Sequence, residues 1–439
     1  MTTDARGRGD GRESLLPVDL PHQATGTPNV DTEDESRTPS TRPPVYRPPD
    51  IPGLEFDPFL TQALAQGPVM KIRLPQGAAL AECWLVTGYE ETRFVASDPR
   101  FSRDITKRAF PTMNRHLIPM GASVSFIDPP DHTRIRSVVT PAFSAGRMQA
   151  LRPRAEALVT QLLDGLEAVG PPADLIEQVI SPLPLTLIGE IFGIDPAERP
   201  RLRRWAEGIL VRPRTEQDAA HARALRDEAA AHFRDLLDRR RASSGGDLMT
   251  VFAHAVEERR ISEDEALAMA SLTALNGWHP VRNNLANMVF TLLRRPHLVE
   301  ALSGGDIPVA QLVEELLRWI PHKNGIGQPR VATEDVALGE ATICAGDYVY
   351  VQYWAANRDP AAFTRPAEID ADRSGPPHLA FGHGPHYCVA PHLARLQAQL
   401  LLPALFTRLP ALRLAVPADE VAFRLDALIR GPVTLPVAW

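Results

Sequence analysis

The feature that most constrains this chain is a short loop that ends in a single cysteine. Residues 378–388 read His-Leu-Ala-Phe-Gly-His-Gly-Pro-His-Tyr-Cys and stand directly before an apolar helical run over 389–401. Gly382 and Gly384 allow the backbone to turn tightly and to approach a flat ligand closely. Backbone N–H groups near the start of the following helix can point at the Cys388 sulfur and keep it ionised. The segment is therefore suited to presenting one thiolate to a metal.

Composition excludes several classes of protein. A chain of 439 residues with 44% hydrophobic residues can bury a large core. Its net charge of −7 gives no reason to expect a nucleic-acid partner. Three scattered cysteines do not make a disulfide framework, so we expect a cytoplasmic location. Neither a membrane-length apolar run nor a signal-peptide core is present in the sequence, so we expect no membrane partner.

The pattern of the chain predicts one large domain behind a polar tail. Residues 1–45 are polar and contain almost no aromatic residues, so we predict a disordered tail there and a single domain over 46–439. Helical patterns dominate this domain, and they cover 148–168, 174–192, 218–241 and 263–294. Strand-like runs are fewer, and they cover 69–74, 83–87 and parts of about 331–353. We therefore predict a mainly α fold with a minor β portion.

The cysteine loop also carries a spacing typical of one family. A lone cysteine is most often a small buried apolar residue. Here Phe381, Gly384 and Cys388 form Phe-x-x-Gly-x-x-x-Cys, which resembles the haem-ligand loop of the cytochrome P-450 family of haem-thiolate monooxygenases. The resemblance covers about 48–439 and implies the cytochrome P-450 fold, haem b as cofactor and the Cys388 thiolate as its iron ligand, with Phe381 and Gly382 beside the haem. A thiolate ligand favours O–O cleavage, which this chemistry requires.

A second pattern predicts support for that loop. Glu315 and Arg318 stand at i and i+3, so they lie on one helix face and can pair. Surface helices carry many such pairs, and the pattern alone is weak. In the family a Glu-x-x-Arg pair is joined by an arginine from the segment before the cysteine loop, and Arg373 stands at that position. The resemblance gives these three residues a structural role.

A third pattern concerns the carboxylates of the cofactor. A Pro-Pro pair reads as a helix start and places His132 and Arg136 at i and i+4 on one face. The plainer interpretation is a solvated basic face. The resemblance instead makes both residues partners of the haem propionates, with Arg330 and His378 in the same role. Four donors for two carboxylates would form a strong clamp when water is excluded.

The long helical pattern over 263–294 departs from the family. Aligned on Gly277, the chain has Asn276, His279 and Pro280 where the family has a small residue, an acid and a threonine that relay protons. Pro280 lacks an N–H, so we expect the helix to kink or open there. His279 could replace the acid in proton transfer, could bind a substrate carboxylate when protonated, or could point away from the haem. Asn276 should lie near the open side of the iron.

The expected substrate pocket is largely apolar. It should be lined by residues within 104–124, 208–217, 271–281 and 324–328. Leu272, Trp278 and Ile326 are the pocket residues that we single out. This lining suggests a sizeable apolar molecule with a few polar groups. Arginine greatly outnumbers lysine, which suggests a GC-rich genome and a bacterial enzyme of natural-product biosynthesis.

Three functions remain open at this point. The first is an O2-dependent monooxygenase that receives electrons from a ferredoxin and a ferredoxin reductase, since no flavin or iron–sulfur domain is fused to the chain. The second is a peroxide-using or redox-neutral haem-thiolate enzyme, because some branches of the family that use peroxide carry a basic residue followed by proline, as His279 and Pro280 do. The third is a binding scaffold without catalysis. The sequence favours the first and leaves hydroxylation, epoxidation and oxidative coupling open.

Overall fold

Helices make up most of the protein. The structure, a computed structural model, describes residues 42–76, 79–104, 123–210, 213, 215–323, 325–327, 329–425 and 429–439. In chain order the helices are α1 (Pro58–Gln66), α2 (Tyr89–Ser97), α3 (Asp131–Val139), α4 (Ala145–Val169), α5 (Pro182–Phe192), α6 (Arg199–Ile209), α7 (Glu216–Arg240), α8 (Leu248–Glu257), α9 (Glu263–Leu293), α10 (Pro296–Gly304), α11 (Val309–Trp319), α12 (Tyr353–Ala356) and α13 (Pro391–Arg408).

The strands that the structure describes form three small sheets. In order they are β1 (Val69–Gln76), β2 (Ala79–Val86), β3 (Phe101–Ser102), β4 (Ala173–Asp174), β5 (Pro329–Ala332), β6 (Val336–Leu338), β7 (Ala341–Ile343), β8 (Tyr348–Val351), β9 (Arg413–Leu414) and β10 (Pro436–Ala438). The main sheet has the order β1-β2-β8-β5-β3, in which only β2 and β8 pair in parallel. A three-stranded sheet has the order β4-β10-β9, and β6 pairs with β7.

The α9 helix is the centre of the helical part. Ser262 Oγ accepts a hydrogen bond from the N–H of Glu265, and the Glu265 carboxylate accepts one from the N–H of Ser262, at 3.2 and 2.8 Å. This reciprocal cap starts the helix where the sequence predicts. The helix packs against α5, α6, α7, α8 and α10, and most of its side chains are buried in the largest apolar cluster. A helix that is apolar nearly all round in this way belongs inside a protein.

Two sequence expectations about helices are wrong. The helix expected over 174–192 is instead a short strand, β4, followed by one π-helical turn over Ile176–Ile180 and then α5. Pro182 begins α5, and its missing N–H suits the first turn of a new helix better than the middle of a long one. The expected opening at Pro280 is not seen, because α9 is helical without interruption from Glu263 to Leu293.

The other predictions about helices and early strands agree with the structure. The other three long helical patterns correspond to α4, α7 and α9, and the early strand-like runs form the β1–β2 hairpin. The mainly α architecture with a minor β portion is confirmed. Pro43–Trp439 form one compact unit, while nearly all of the predicted tail lies outside the described residues. Among the helices that the structure describes, none is long and apolar enough to span a membrane.

Candidate active site

The cysteine loop is held by main-chain contacts. The N–H of Cys388 donates to the carbonyl of Phe381 at 2.8 Å, which closes the loop just before α13. Gly382 and Gly384 adopt φ values of +78° and +71°, a region that favours glycine. At Gly384 an added Cβ would lie 2.5 Å from the carbonyl oxygen of Ala96. Only glycine therefore lets this loop rest against the end of α2.

Cys388 is partly buried, and its sulfur lies near positive groups. Burial raises the pKa of the Cys388 thiol, while the N–H of Ala390 and the charges of Arg136 and Arg395 act in the opposite direction. A metal would supply the remaining stabilisation of the thiolate. Within the described residues no three His, Cys, Asp or Glu side chains group as a metal cage. Cys388 is therefore suited to bind a metal whose other ligands belong to a cofactor.

Three residues that the sequence grouped meet behind the loop. Arg318 donates two hydrogen bonds to Glu315, both 2.7 Å long, and Arg373 Nε donates to the same carboxylate at 3.1 Å. The side chains of Glu315 and Arg318 are only 4% and 2% exposed. We call Glu315, Arg318 and Arg373 the Glu315 triad. Arg318 also donates to three main-chain carbonyls between residues 357 and 368, so the triad ties α11 to the segment that leads into the cysteine loop.

The α3 helix brings two predicted residues to the other side of the loop. Arg136 donates to the carbonyl of Tyr387, and the ring of His132 lies 4.4 Å from that of His386, centroid to centroid. His132 is buried, and within the described chain neither of its ring nitrogens has a hydrogen-bond partner. Burial, reinforced by Arg136 and other cations, lowers the pKa of His132 to about 4. A buried donor without a partner is costly, so His132 fits a site completed by an anionic ligand.

Of the other two residues predicted to bind the propionates, Arg330 lies near His386 and His378 is paired with a carboxylate. Arg330 is buried on β5, donates to the carbonyls of Phe101 and Ala96, and lies close enough to His386 to affect its charge. His378 requires a correction, because its Nε2 lies 3.2 Å from Glu314 Oε2 and it is occupied by that contact.

The residue that sequence reasoning missed is His386. Burial lowers its pKa, and Arg103, Arg330, His132 and Arg136 act in the same direction. The loop holds histidines at 378, 383 and 386, and the composition of the segment does not say which one faces α3. The signal that could have found it is its place after the turn at Gly384, two residues before the sulfur. The sequence motifs also did not indicate Arg103, whose charge acts on both His132 and His386.

On α9, one narrow face is open. Leu272, Asn276 and Pro280 are partly or fully exposed, while the residues between them are buried. Residues four apart share a helix face, so Leu272, Asn276 and Pro280 form one exposed stripe along α9. The Asn276 amide donates to the carbonyl of Leu272 at 2.8 Å. Because Pro280 has no N–H, the carbonyl of Asn276 lacks its usual helical donor.

Two residues assigned to the pocket lie elsewhere. Trp278 is 1% exposed, and its indole N–H donates to the carbonyl of Ser181 at 3.1 Å. Two residues on from Asn276 it points across the helix, because successive residues rotate by about 100°. Ile326 is buried in a separate apolar cluster beneath the β-sheet with Tyr350. Both assignments are corrected. Most of the pocket loop expected over 104–124 lies outside the described residues.

His279 is enclosed beside the open face. It is 3% exposed, and within the described chain its Nδ1 has no hydrogen-bond partner. Burial, reinforced by Arg282, Arg424 and His322, lowers the pKa of His279 to about 3. The ring is therefore neutral near pH 7. This excludes the interpretation in which a protonated His279 binds a substrate carboxylate.

Comparison with known proteins decides the family. Residues 307–413 match the family model described as cytochrome P450. A biflaviolin synthase from Streptomyces coelicolor is 39% identical over 410 residues, which cover 93% of this chain and 99% of that protein. A mycinamicin IV hydroxylase/epoxidase from Micromonospora griseorubida is 36% identical over 401 residues, 91% of this chain and 100% of that protein. The chain belongs to the cytochrome P450 family.

Comparison with solved structures gives the same family for the fold. The crystal structure of a cytochrome P450 with biaryl coupling reactivity superposes with a TM-score of 0.84 at 39% identity, covering 90% of this chain and 100% of that one. The predicted cytochrome P450 fold is confirmed. This P450 is an enzyme of the monooxygenase type, and its relatives are bacterial P450s that tailor natural products. Family members act on small molecules with redox partners.

The residues of this P450 fit a haem-thiolate cofactor. A lone cysteine lies at a glycine turn, and His132 has two buried nitrogens that need partners. Cys388 would hold the iron, while His132, Arg136, Arg330 and His386 would hold the propionates. When bound, the haem supplies the activation of oxygen. The protein contributes the thiolate, the Glu315 triad behind it and the open face of α9.

Proposed function

We propose that this P450 binds haem b and uses O2, with electrons from a ferredoxin and its reductase in the cytoplasm, to oxidise a largely apolar natural product. Oxidative coupling of two aromatic molecules is the reaction that we place first. In that reaction two substrate C–H bonds break and one C–C bond forms, while O2 is reduced to two molecules of water by the two substrate hydrogens, two donor electrons and two protons. Support comes from the two relatives at 39% identity, which are named for biflaviolin synthesis and for biaryl coupling.

The observation that carries this choice is the open face of α9. A proline stands at position 280, so no side-chain hydroxyl is present there to guide protons. Asn276 is exposed on that face, and the carbonyl that Pro280 leaves without a helical donor can hold a water. A phenolic substrate bound against this face can itself pass a proton through such a water. Coupling puts no atom of O2 into the product, because both oxygen atoms leave as water, so a substrate that itself supplies protons suits a site without the threonine.

His279 has a supporting role in this proposal. A neutral imidazole can accept a proton at one nitrogen and release one at the other, and His279 borders the open face. Replacing His279 with Ala should lower the product formed per electron consumed. A variant that couples electrons to product as well as the natural protein does would remove His279 from the proton path. His297, which is exposed on α10, provides the matched control as His297→Ala.

The competing function is peroxide use. It is supported by the His279–Pro280 pair, a basic residue followed by proline where the acid and the alcohol usually stand. The purified haem protein should be incubated with a polyhydroxylated naphthalene under two regimes, ferredoxin with reductase and NADPH, or hydrogen peroxide alone. We expect dimeric product in the first regime. Product formed with peroxide but not with ferredoxin, reductase and NADPH would establish the competing function. A product carrying one added oxygen would replace coupling by hydroxylation.

A further inference from the structure

Pro280 stands in the middle of α9, yet the helix continues through it. Proline has no N–H, and its ring clashes with the carbonyl four residues earlier, so a proline inside a helix usually kinks or breaks it. Here α9 is helical from Glu263 to Leu293 without interruption. Contacts from outside the helix must therefore hold it in this form, and the residues on either side of Pro280 make such contacts.

On the N-terminal side of the proline, Trp278 joins α9 to the start of α5. Its side chain is 1% exposed, and its indole N–H donates to the carbonyl of Ser181 at 3.1 Å. Ser181 follows the π-helical turn over Ile176–Ile180, and its own N–H donates to the carbonyl of Ile176 at 2.8 Å. The helical donor to the Ser181 carbonyl, the N–H of Leu185, is 3.4 Å away, so the indole makes the shorter bond. Turns of this kind are rare and are frequent at functional sites.

On the C-terminal side, Arg282 joins α9 to the C-terminal segment, residues 429–438. Its guanidinium donates to the carbonyls of Pro432 and Val433 at 2.7 and 2.8 Å. Burial lowers the pKa of Arg282 to about 10, so it stays charged near pH 7 and these hydrogen bonds are charge-assisted. We call Trp278 and Arg282 the flanking pair, because they bind main-chain carbonyls two residues before and two residues after the proline.

Further along α9, two asparagines bind the same segment. The Asn283 amide donates to the carbonyl of Ile429 and the Asn287 amide to that of Arg430, both at 3.0 Å. The half of α9 that follows the proline is thus bonded to the C-terminal segment at several points. The half before it is bonded to the start of α5 through Trp278.

The two segments that hold α9 are also bonded to each other. β4 pairs with β10, and the N–H of Leu175 donates to the carbonyl of Leu435 at 3.0 Å. Asp174 closes the same junction, because one of its carboxylate oxygens accepts from the N–H of Leu435 at 2.9 Å and from the N–H of Ile176 at 3.0 Å. The hydrogen-bonded path therefore runs from α9 through the π-helical turn and the C-terminal segment back to α9.

The carbonyl of Asn276 is the group whose direction depends on these contacts. It lacks the helical donor that a residue with an N–H at position 280 would supply, and the Asn276 side-chain amide donates to the carbonyl of Leu272 at 2.8 Å. Asn276 lies on the open face, two residues before Trp278. A bend at Pro280 would rotate this part of α9 relative to the part that follows, and the Asn276 carbonyl would change direction.

We propose that Trp278 and Arg282 are positioning residues, which hold α9 on both sides of Pro280 and thereby fix the direction of the Asn276 carbonyl. This inference rests on the proposed function, in which that carbonyl holds the water that carries substrate protons. Trp278 is buried across α9 from Asn276, so it acts through the main chain of the helix and not by contact with the substrate.

Hydrogen exchange of the haem protein, followed by mass spectrometry, tests the positioning role. The measured quantity is the exchange rate of peptides within 276–287 divided by that of peptides in α4, so that a general loss of stability cancels. Trp278→Phe keeps an aromatic ring and removes the indole N–H, and we expect it to raise this ratio by about tenfold. Pro280→Ala removes the cause of the bend, so in that background Trp278→Phe should raise the ratio by less than about twofold.

Two further variants check this result. Trp205→Phe changes a tryptophan of α6 that is equally buried, and it should leave the ratio unchanged. Arg282→Lys keeps the charge but loses the fork of donors that binds two carbonyls, and it should raise the ratio from the other side of Pro280. This variant also covers the case in which Trp278→Phe does not fold.

The chemical consequence has a measurement of its own. In Trp278→Phe we expect the product formed per electron consumed to fall. The dissociation constant of a polyhydroxylated naphthalene, measured from the Soret band, should change by less than about twofold. This split distinguishes a residue that positions a proton path from one that binds the substrate.

The outcomes separate the alternatives. An unchanged exchange ratio in Trp278→Phe and in Arg282→Lys, or the same rise with and without Pro280, would overturn the positioning role. A raised ratio with unchanged product per electron would overturn the link to the Asn276 carbonyl. If the natural protein forms no product with ferredoxin and reductase, the proposed function fails, while hydrogen exchange still tests the flanking pair.

Discussion

The cysteine side of the molecule and the middle of α9 differ in how the protein satisfies its buried polar groups. Behind the cysteine loop, the carboxylate of Glu315 accepts hydrogen bonds from Arg318, from Arg373 and from the N–H of Asp370. Beside the open face of α9, His279 and His322 each keep a buried nitrogen without a partner in the described chain. The protein therefore satisfies the Glu315 triad by itself, whereas these two histidines keep a nitrogen that something else can bind.

The largest effect is expected at the cysteine itself. Cys388→Ser should abolish turnover, because an alcohol does not provide the thiolate that favours O–O cleavage. The reduced carbon-monoxide spectrum characteristic of thiolate ligation should disappear at the same time. Cys344→Ser, at an exposed cysteine, is the control. Persistence of the thiolate spectrum in Cys388→Ser would mean that another residue holds the iron.

The Glu315 triad should give the next largest effect. Glu315→Gln leaves two buried arginines without their carboxylate, and we expect the free energy of unfolding to fall by about 3–5 kcal/mol. Glu368→Gln breaks an exposed pair with Arg365 and should change it by less than about 1 kcal/mol. Urea denaturation of the haem protein measures both. Similar values for the two variants would contradict the idea that the cysteine side is the rigid one.

A pair of glycines separates backbone strain from steric contact in the same loop. Gly382→Ala should cost about 1–2 kcal/mol, because its positive φ disfavours a side chain. Gly384→Ala has the same backbone cost and also places its Cβ against Ala96, which adds about 1–3 kcal/mol. Thermal unfolding of the two variants gives the difference. If both lose the same stability, the contact with α2 does not constrain the loop.

The smallest effect, counted per pH unit, concerns stability at acidic pH and His279 on α9. Because the pKa of His279 is about 3 in the folded protein and that of an unfolded histidine is about 6.5, only the unfolded chain takes up this proton between those values. The free energy of unfolding should therefore fall as the pH drops below about 6.5, by up to about 1.4 kcal/mol per pH unit for this group. His279→Gln should reduce that slope.

The control for this measurement is His297→Gln, which changes an exposed histidine and should keep the natural slope. Thermal unfolding midpoints measured at several pH values between about 6.5 and 4.5 provide the comparison. An unchanged slope in His279→Gln would mean that His279 is protonated in the folded protein, and the contrast between the two sides would then be smaller than the structure indicates.

Local patterns in the sequence predicted much of the cysteine side. The turn at the loop, the i, i+3 pair of Glu315 and Arg318 and the i, i+4 pair of His132 and Arg136 all depend on residues close in the chain. Which histidine of the loop, His378 or His386, lies beside His132 depends on which side of the turn contacts α3. That contact joins segments about 250 residues apart. Sequence spacing does not carry this information.

Of the two wrong pocket assignments, that of Trp278 could have been avoided and that of Ile326 could not. The rotation of about 100° per residue already places Trp278 across α9 from Asn276, so its burial could have been inferred. The placement of Ile326 beneath the sheet depends on its packing with β1, β2 and β8, which no local periodicity reveals.

The anchoring of residues 429–430 to α9 has a consequence for how this enzyme can diversify. Asn283 and Asn287 bind the main-chain carbonyls of Ile429 and Arg430, and main-chain carbonyls are present whatever the side chain. Replacement of the side chains at residues 429 and 430 therefore leaves the anchoring of this segment to α9 in place. New substrate preferences can accumulate there by mutation while the residues around Cys388 remain unchanged, which lets one scaffold yield many enzymes.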